Sequence, residues 1–166
     1  MRAVLVLMGL LLGVACSSPN LSADGMGTVV EVIDGDTVIV DLAGHRETVR
    51  LLGIDTPETV HPDRPVECFG AEASARLRLL LTPGSGVIVT RDIEPRDRYG
   101  RLLAYLERLS DGLQVNMALV ERGYAATLHI DPNDALLHEL AAAESRARAA
   151  GLGLWTRCGG PHEPVA

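Results

Sequence analysis

The amino-acid sequence predicts an α+β fold, mainly β: a small five-stranded Greek-key barrel of the OB type that carries three α-helices. Three observations predict it. Five short stretches are β-branched or alternate apolar with polar, and turn residues separate them. One helical stripe interrupts them between the third and the fourth. Two more helical patterns follow the fifth, so the strands come first and close on themselves while the helices cap the result.

Each element has its own signal. Residues 28–33 are β-branched and apolar, and residues 37–42 alternate with Val38, Val40 and Leu42 on one face. Ala43-Gly44-His45 gives a turn, and residues 47–54 complete a meander. Residues 55–67 hold three prolines and no periodicity, which predicts a loop. Residues 67–81 turn helical: Ala73, Leu77, Leu80 and Leu81 form one stripe, Glu72 and Arg76 are an i,i+4 pair, and Pro83-Gly84 ends the run. Residues 86–93 and 101–108 are the fourth and fifth strands, with Leu102, Ala104 and Leu106 on one face. Asn116 reads as the N-cap of a short helix stopped by Gly123. Asn133 reads as the cap of a last helix, in which Leu136, Leu140, Ala143 and Ala147 share a face and Glu144 pairs with Arg148. Trp155 is expected to pack the end onto the body, and residues 158–166 form a loose tail.

A chain of 166 residues, 47% hydrophobic and 22% charged, suits one globular domain. Its 15 basic residues are all Arg. Arg offers a planar fork for phosphate, although a compositional bias of the genome explains the pattern equally well. The net charge of −7 argues against a protein that grips nucleic acid through a broad basic surface. It remains compatible with a local acidic cluster neutralised by a metal ion.

Residues 1–15 read as a signal peptide, with Arg2 ahead of an apolar run too short to span a membrane. Cys16 follows directly. Processing of the lipoprotein type would attach the protein to a membrane through lipidated Cys16. Gly13 stands where that pattern uses Leu, and ordinary cleavage near Ala15 would instead release a secreted protein. Residues 16–26 read as a flexible tether. Both routes imply export, where Cys68 and Cys158 are expected to form a disulfide.

Three clusters carry candidate chemistry. Asp34-Gly35-Asp36-Thr37 is either a simple hairpin turn or a place where carboxylates meet a cation. Arg50 lies in a mostly apolar strand, so its charge requires an anionic partner. Asp55, Thr56 and Glu58 follow that strand: Asp55 could complete a cation site with Asp36, and Glu58 could accept a proton from water. Alternatively, Arg50 is a structural partner of one of these carboxylates. The third cluster, Asp97-Arg98-Tyr99-Gly100-Arg101, is either a charged hairpin loop or a second cationic contribution at the barrel rim.

Taken together, Asp34 to Thr37, Arg50 to Glu58 and Asp97 to Arg101 resemble the staphylococcal nuclease, or thermonuclease, family. Val115 to Val120 and Gly153-Leu154-Trp155 follow in order, so the resemblance covers about residues 27–156 within a domain of 27–157. It implies an OB-fold barrel with three helices and one calcium ion (Ca2+) at its rim. Asp36, Asp55 and the Thr56 carbonyl would hold that ion, with Asp34 close by. Glu58 would act as general base or water orienter, Arg50 and Arg101 would bind the scissile phosphate, and Tyr99 would contact a neighbouring one. The implied activity is cleavage of DNA and RNA to 3′-phosphate and 5′-hydroxyl ends, by a monomer. The family's type member has a Tyr-rich stretch where Leu128-His129-Ile130-Asp131 stands here without Tyr. His129 is there either a stacking substitute or an ordinary surface histidine. Two other classes compete: a catalytically inactive nucleic-acid-binding module, and a structural envelope lipoprotein. The joint retention of Asp36, Arg50, Asp55, Glu58 and Arg101 favours the enzyme.

Overall fold

The computed structural model describes residues 24–59 and 66–165. The expectations for residues 1–15, for Cys16 and for most of the tether lie outside them. In chain order the elements are β1 (Gly25–Val32), β2 (Thr37–Leu42), β3 (His45–Leu51), β4 (Ile54–Asp55), α1 (Gly70–Leu80), β5 (Gly86–Thr90), β6 (Leu102–Arg108), β7 (Leu113–Gln114), α2 (Val115–Glu121), β8 (Ala126–Thr127), α3 (Leu137–Ala149) and α4 (Leu154–Arg157).

Five of these strands close a barrel. β3, β2, β1, β5 and β6 are antiparallel neighbours in that order, and β6 returns to pair in parallel with β3. Closure removes both sheet edges. The parallel seam aligns Val49 with Leu102, Arg50 with Leu103 and Leu51 with Ala104. The α+β class, the five-stranded barrel and the order of its helices are as the sequence predicts. Val29, Val38, Val40, Val49, Leu51, Val87, Val89 and Leu106 are almost fully buried. The helix stripes are buried too: Ala73, Leu77, Leu80 and Leu81 in and after α1, and Leu136, Leu140, Ala143 and Ala147 along α3. On β6, Leu103 and Tyr105 are buried as well as Leu102, Ala104 and Leu106, because α2 packs across that strand and against α3.

Several elements differ from expectation. The third strand stops at Leu51. Gly53, at φ 75°, turns the chain out of the barrel, and a Cβ there would lie 2.4 Å from Leu140 Cδ1. Ile54 and Asp55 then pair with β8 instead, Asp55 opposite Ala126. Helix α1 begins at Gly70, three residues later than expected, because Glu67 is buried in a bridge to Pro164. A fourth helix, α4, is a single turn that buries Trp155.

Neither asparagine read as a cap is one. The N-cap of α2 is Gln114, whose side chain accepts from Met117 N–H. Asn116 is fully buried: its Oδ1 accepts from Leu106 N–H (3.1 Å), and its Nδ2 donates to Leu52 O (2.8 Å). Asn133 likewise exchanges two hydrogen bonds with the Glu94 backbone. An Asn side chain mimics a peptide group, so both can satisfy main chain where strands diverge, which is the same property that makes Asn a good cap.

The C-terminal segment is docked rather than loose. A disulfide joins Cys68 to Cys158, with Cα atoms 5.9 Å apart. Beyond it, Cys68 N–H donates to Glu163 O (2.7 Å). We expect Asn116→Ala to destabilise the protein by about 2–4 kcal/mol, because a buried donor and a buried acceptor each lose their partner. Chemical denaturation at equilibrium measures it.

Candidate active site

The first two clusters are brought together by close approach of two turns. After β1 the chain reverses through Asp34-Gly35-Asp36, where Asp34 Oδ1 accepts from Asp36 N–H (3.0 Å). A Cβ on Gly35 would stand 2.5 Å from Thr56 Oγ1, so this glycine is required by proximity. The approach lets Asp36 Oδ2 accept from both Thr56 N–H (3.1 Å) and Thr56 Oγ1–H (3.0 Å). Twenty residues of sequence separation are thereby closed on one carboxylate.

Arg50 crosses the same point from β3. It is 6% exposed and spends its guanidinium on four oxygens. NH1 donates to Leu51 O (2.7 Å) and Ile54 O (2.8 Å), NH2 to Asp55 Oδ1 (2.7 Å), and Nε lies 3.2 Å from Asp36 Oδ1. Both structural pairing and proximity to the carboxylates are therefore realised in one side chain. Arg101 is held differently. Its Nε donates to Asp97 Oδ2 (2.7 Å), its N–H donates to Asp97 Oδ1 (2.9 Å), and its two amino groups make no hydrogen bond among the described residues. Burial pushes the Asp97 carboxyl up, but the Arg101 hydrogen bonds outweigh it and hold the group below the usual carboxylate range. Tyr99 is 68% exposed, and its ring lies under the Arg98 and Arg101 guanidinium groups at 4.8 and 5.4 Å.

Asp34, Asp36, Arg50, Asp55, Thr56, Pro57, Glu58, Tyr99 and Arg101 line one open cleft of about 420 Å³. All eight residues singled out for catalysis, metal or substrate contact by the sequence therefore share it. A groove lined by Arg96, Arg98, Leu128 and Ile130 adjoins it, sharing Arg50, Tyr99 and Arg101. His129 is exposed and lines neither. Sequence reasoning missed Glu67, 7% exposed, whose Oε2 accepts from Glu58 N–H (3.0 Å). Nothing in the pattern separates Glu67 from an ordinary first-turn helix acid. It also missed His162, whose Nε2 lies 3.4 Å from Asp55 Oδ2. A histidine among Gly and Pro carries no periodic signal.

The electrostatics are unbalanced. Three carboxylates, Asp34, Asp36 and Asp55, surround one guanidinium. Burial, then the Asp36 charge, pushes Asp34 up to about 6. Asp55 is also raised, by burial first and by Asp36, against the opposing pull of Arg50. A raised carboxylate protonates more readily folded than unfolded, so for Asp34 stability is gained as the pH falls through about 6 and forgone above it. A cation would relieve the same repulsion. Among the described residues no three His, Cys, Asp or Glu side chains form a ready-made metal cage. The donors present are nonetheless all oxygens, which suits a hard cation such as calcium.

A family model described as staphylococcal nuclease homologue matches residues 48–157. That span includes Arg50 to Glu58 and Asp97 to Arg101, but begins after Asp34 and Asp36. Among curated proteins, the thermonuclease of Staphylococcus intermedius is 42% identical over 129 residues, which cover 78% of this chain and 75% of that protein. The thermonuclease of Staphylococcus hyicus is 37% identical over 128 residues, covering 77% and 74%. Endonuclease YncB of Bacillus subtilis (strain 168) is 35% identical over 133 residues; these cover 80% of this chain but 62% of that protein.

Gly35→Ala tests how the cleft is assembled. The added methyl must push Thr56 away from Asp36. We expect a loss of about 1–3 kcal/mol in stability and a chemical-shift change at the Thr56 amide, both read by two-dimensional NMR with thermal melting.

Proposed function

The chain belongs to the staphylococcal nuclease family, and on that premise we propose that it is a calcium-dependent endonuclease that hydrolyses phosphodiester bonds in DNA and RNA. The observation that carries the reading is the single cleft in which Arg101, with unspent donors, faces the Asp36, Asp55, Thr56 and Glu58 cluster.

In this reading Asp36, Asp55 and the Thr56 carbonyl hold calcium, with Asp34 adding charge beside them. Calcium supplies positive charge against the phosphate oxygens. Arg101, anchored through Nε to Asp97, presents its amino groups to a phosphate as a fork. Arg50 adds charge from the cleft floor. Glu58 orients or deprotonates the attacking water, since water is a poor nucleophile at neutral pH. Attack that expels the 5′ oxygen leaves 3′-phosphate and 5′-hydroxyl ends. Tyr99, stacked on two guanidiniums at the rim, contacts a neighbouring phosphate. The protein acts as a monomer and outside the cell, either secreted or held at a membrane through Cys16. The Cys68–Cys158 bridge supports export, because disulfides persist in oxidising compartments.

We expect the protein without residues 1–15 to digest plasmid DNA and RNA in millimolar calcium and to stop on chelation. Failure of folded protein to digest either would favour an inactive binding module. Calcium should raise the melting temperature of the wild type and much less that of Asp36→Asn. The two arginines should separate. Arg101→Lys should lower kcat roughly a hundredfold with little change in stability, since its fork is spent on substrate. Arg50→Lys should lower kcat and also cost about 2 kcal/mol or more in stability, since buried carbonyls and carboxylates lose donors. Steady-state kinetics on one oligonucleotide, beside denaturation, distinguishes them.

A further inference from the structure

The C-terminal segment, outside the family match, reaches Asp55 of the cleft wall. Cys158 fixes its start to Cys68. Glu163 O accepts from Cys68 N–H (2.7 Å), Pro164 bridges to Glu67, and Val165 N–H reaches Val66 O (3.4 Å). Residues 163–165 thus lie along 66–68 as a short added edge. Just before that edge, His162 adopts φ 63°, a backbone conformation side chains seldom take. The turn points its imidazole back at the site. Nε2 lies 3.4 Å from Asp55 Oδ2, and Nδ1 lies 3.2 Å from Glu67 Oε2.

Both partners matter to the cleft. Asp55 Oδ1 already receives Arg50 NH2, so His162 meets the remaining oxygen and fixes how the carboxylate is turned. Glu67 Oε2 accepts from Glu58 N–H (3.0 Å), while Glu67 N–H donates to Glu58 O (2.8 Å). One imidazole therefore links the segment that carries Asp55 to the segment that carries Glu58. The plain alternative is a half-exposed ion pair of little consequence, since the His162 side chain is 52% exposed. Against it stand the buried Glu67, the unusual backbone at His162, the convergence on two site segments and the covalent tether.

We propose that His162 is a positioning residue of the active site, held on Asp55 and Glu67 by a C-terminal segment that the Cys68–Cys158 disulfide ties down. The inference rests on the reading that Asp55 and Glu58 serve hydrolysis. It makes the finished geometry depend on oxidation. With the bridge open, the segment keeps a few backbone bonds to residues 66–68, and the imidazole is no longer pinned.

The test compares wild type, His162→Ala, His162→Gln, Cys158→Ser and the His162→Ala/Cys158→Ser double variant, at a temperature where each is folded by circular dichroism. The readouts are amide hydrogen exchange at Glu58 and Glu67, calcium affinity by titration calorimetry without substrate, and kcat and KM on one oligonucleotide. His162→Ala should speed exchange at both amides. Calcium binding and kcat should each fall roughly tenfold or more, as for other residues that orient a ligating carboxylate, with KM changed by less than about twofold. His162→Gln keeps one donor and should recover part of each. Cys158→Ser should reproduce the His162→Ala values, and the double variant should add nothing to them. Unchanged exchange and calcium affinity in His162→Ala overturn the proposal, as do additive effects in the double variant. If the wild type itself does not cleave, the nuclease reading fails, while exchange and calorimetry still decide the positioning role.

Discussion

A single buried guanidinium holds this structure's site together. Arg50 reaches oxygens from the end of β3, from β4 and from the turn before β2, and it is nearly sealed from water. Burying such a charge unpaired is prohibitive, so the surrounding chain must deliver partners to it. Two carbonyls and two carboxylates do so. Stripping one partner from such a buried pair typically costs about 3–5 kcal/mol, which exceeds what burying a single Leu side chain contributes. The local path of the chain from 50 to 56 therefore answers to the partners Arg50 requires as well as to the burial of Leu51, Leu52 and Ile54.

That constraint also sets what the cleft lacks. Arg50 is the one guanidinium set among three carboxylates, and burial first, with the Asp36 charge adding to it, raises the affinity of Asp34 and Asp55 for protons. The stability of the fold and the calcium site proposed above make opposite demands here. A fold optimised for stability alone would not gather Asp34, Asp36 and Asp55 in one partly buried place. A site that attracts a hard cation would, because the ion supplies the charge the fold withholds. Arg101 is complementary: Asp97 fixes one edge of its fork and leaves the other open to the cleft.

The barrel accounts for how distant segments become neighbours. β3 and β6 meet only by closure, and this seam sets Arg50 level with Leu103, beside the loop that ends in Arg101. Gly53 then directs the chain away from the seam so that Asp55 pairs with β8, a two-residue strand between α2 and α3. The position of Asp55 thus depends on a strand set between helices far downstream, and Asn116, within α2, satisfies Leu52 O where β3 ends.

The sequence by itself determined the barrel strands, the three main helices and their buried stripes, because hydrophobic period and turn residues are local signals that survive without knowing neighbours. The three clusters, read together through their family resemblance, also named Asp34, Asp36, Arg50, Asp55, Thr56, Glu58, Tyr99 and Arg101, and these residues line one cleft. Tertiary structure decided the rest. Asn116 and Asn133 look like caps in sequence, since the same amide that caps a helix can replace a missing strand partner, and only the fold says which is left unpaired. Glu67 meets Glu58, and His162 meets Asp55 and Glu67, only because the fold brings these segments together. Such contacts depend on chain closure, not on spacing, and no periodicity encodes them.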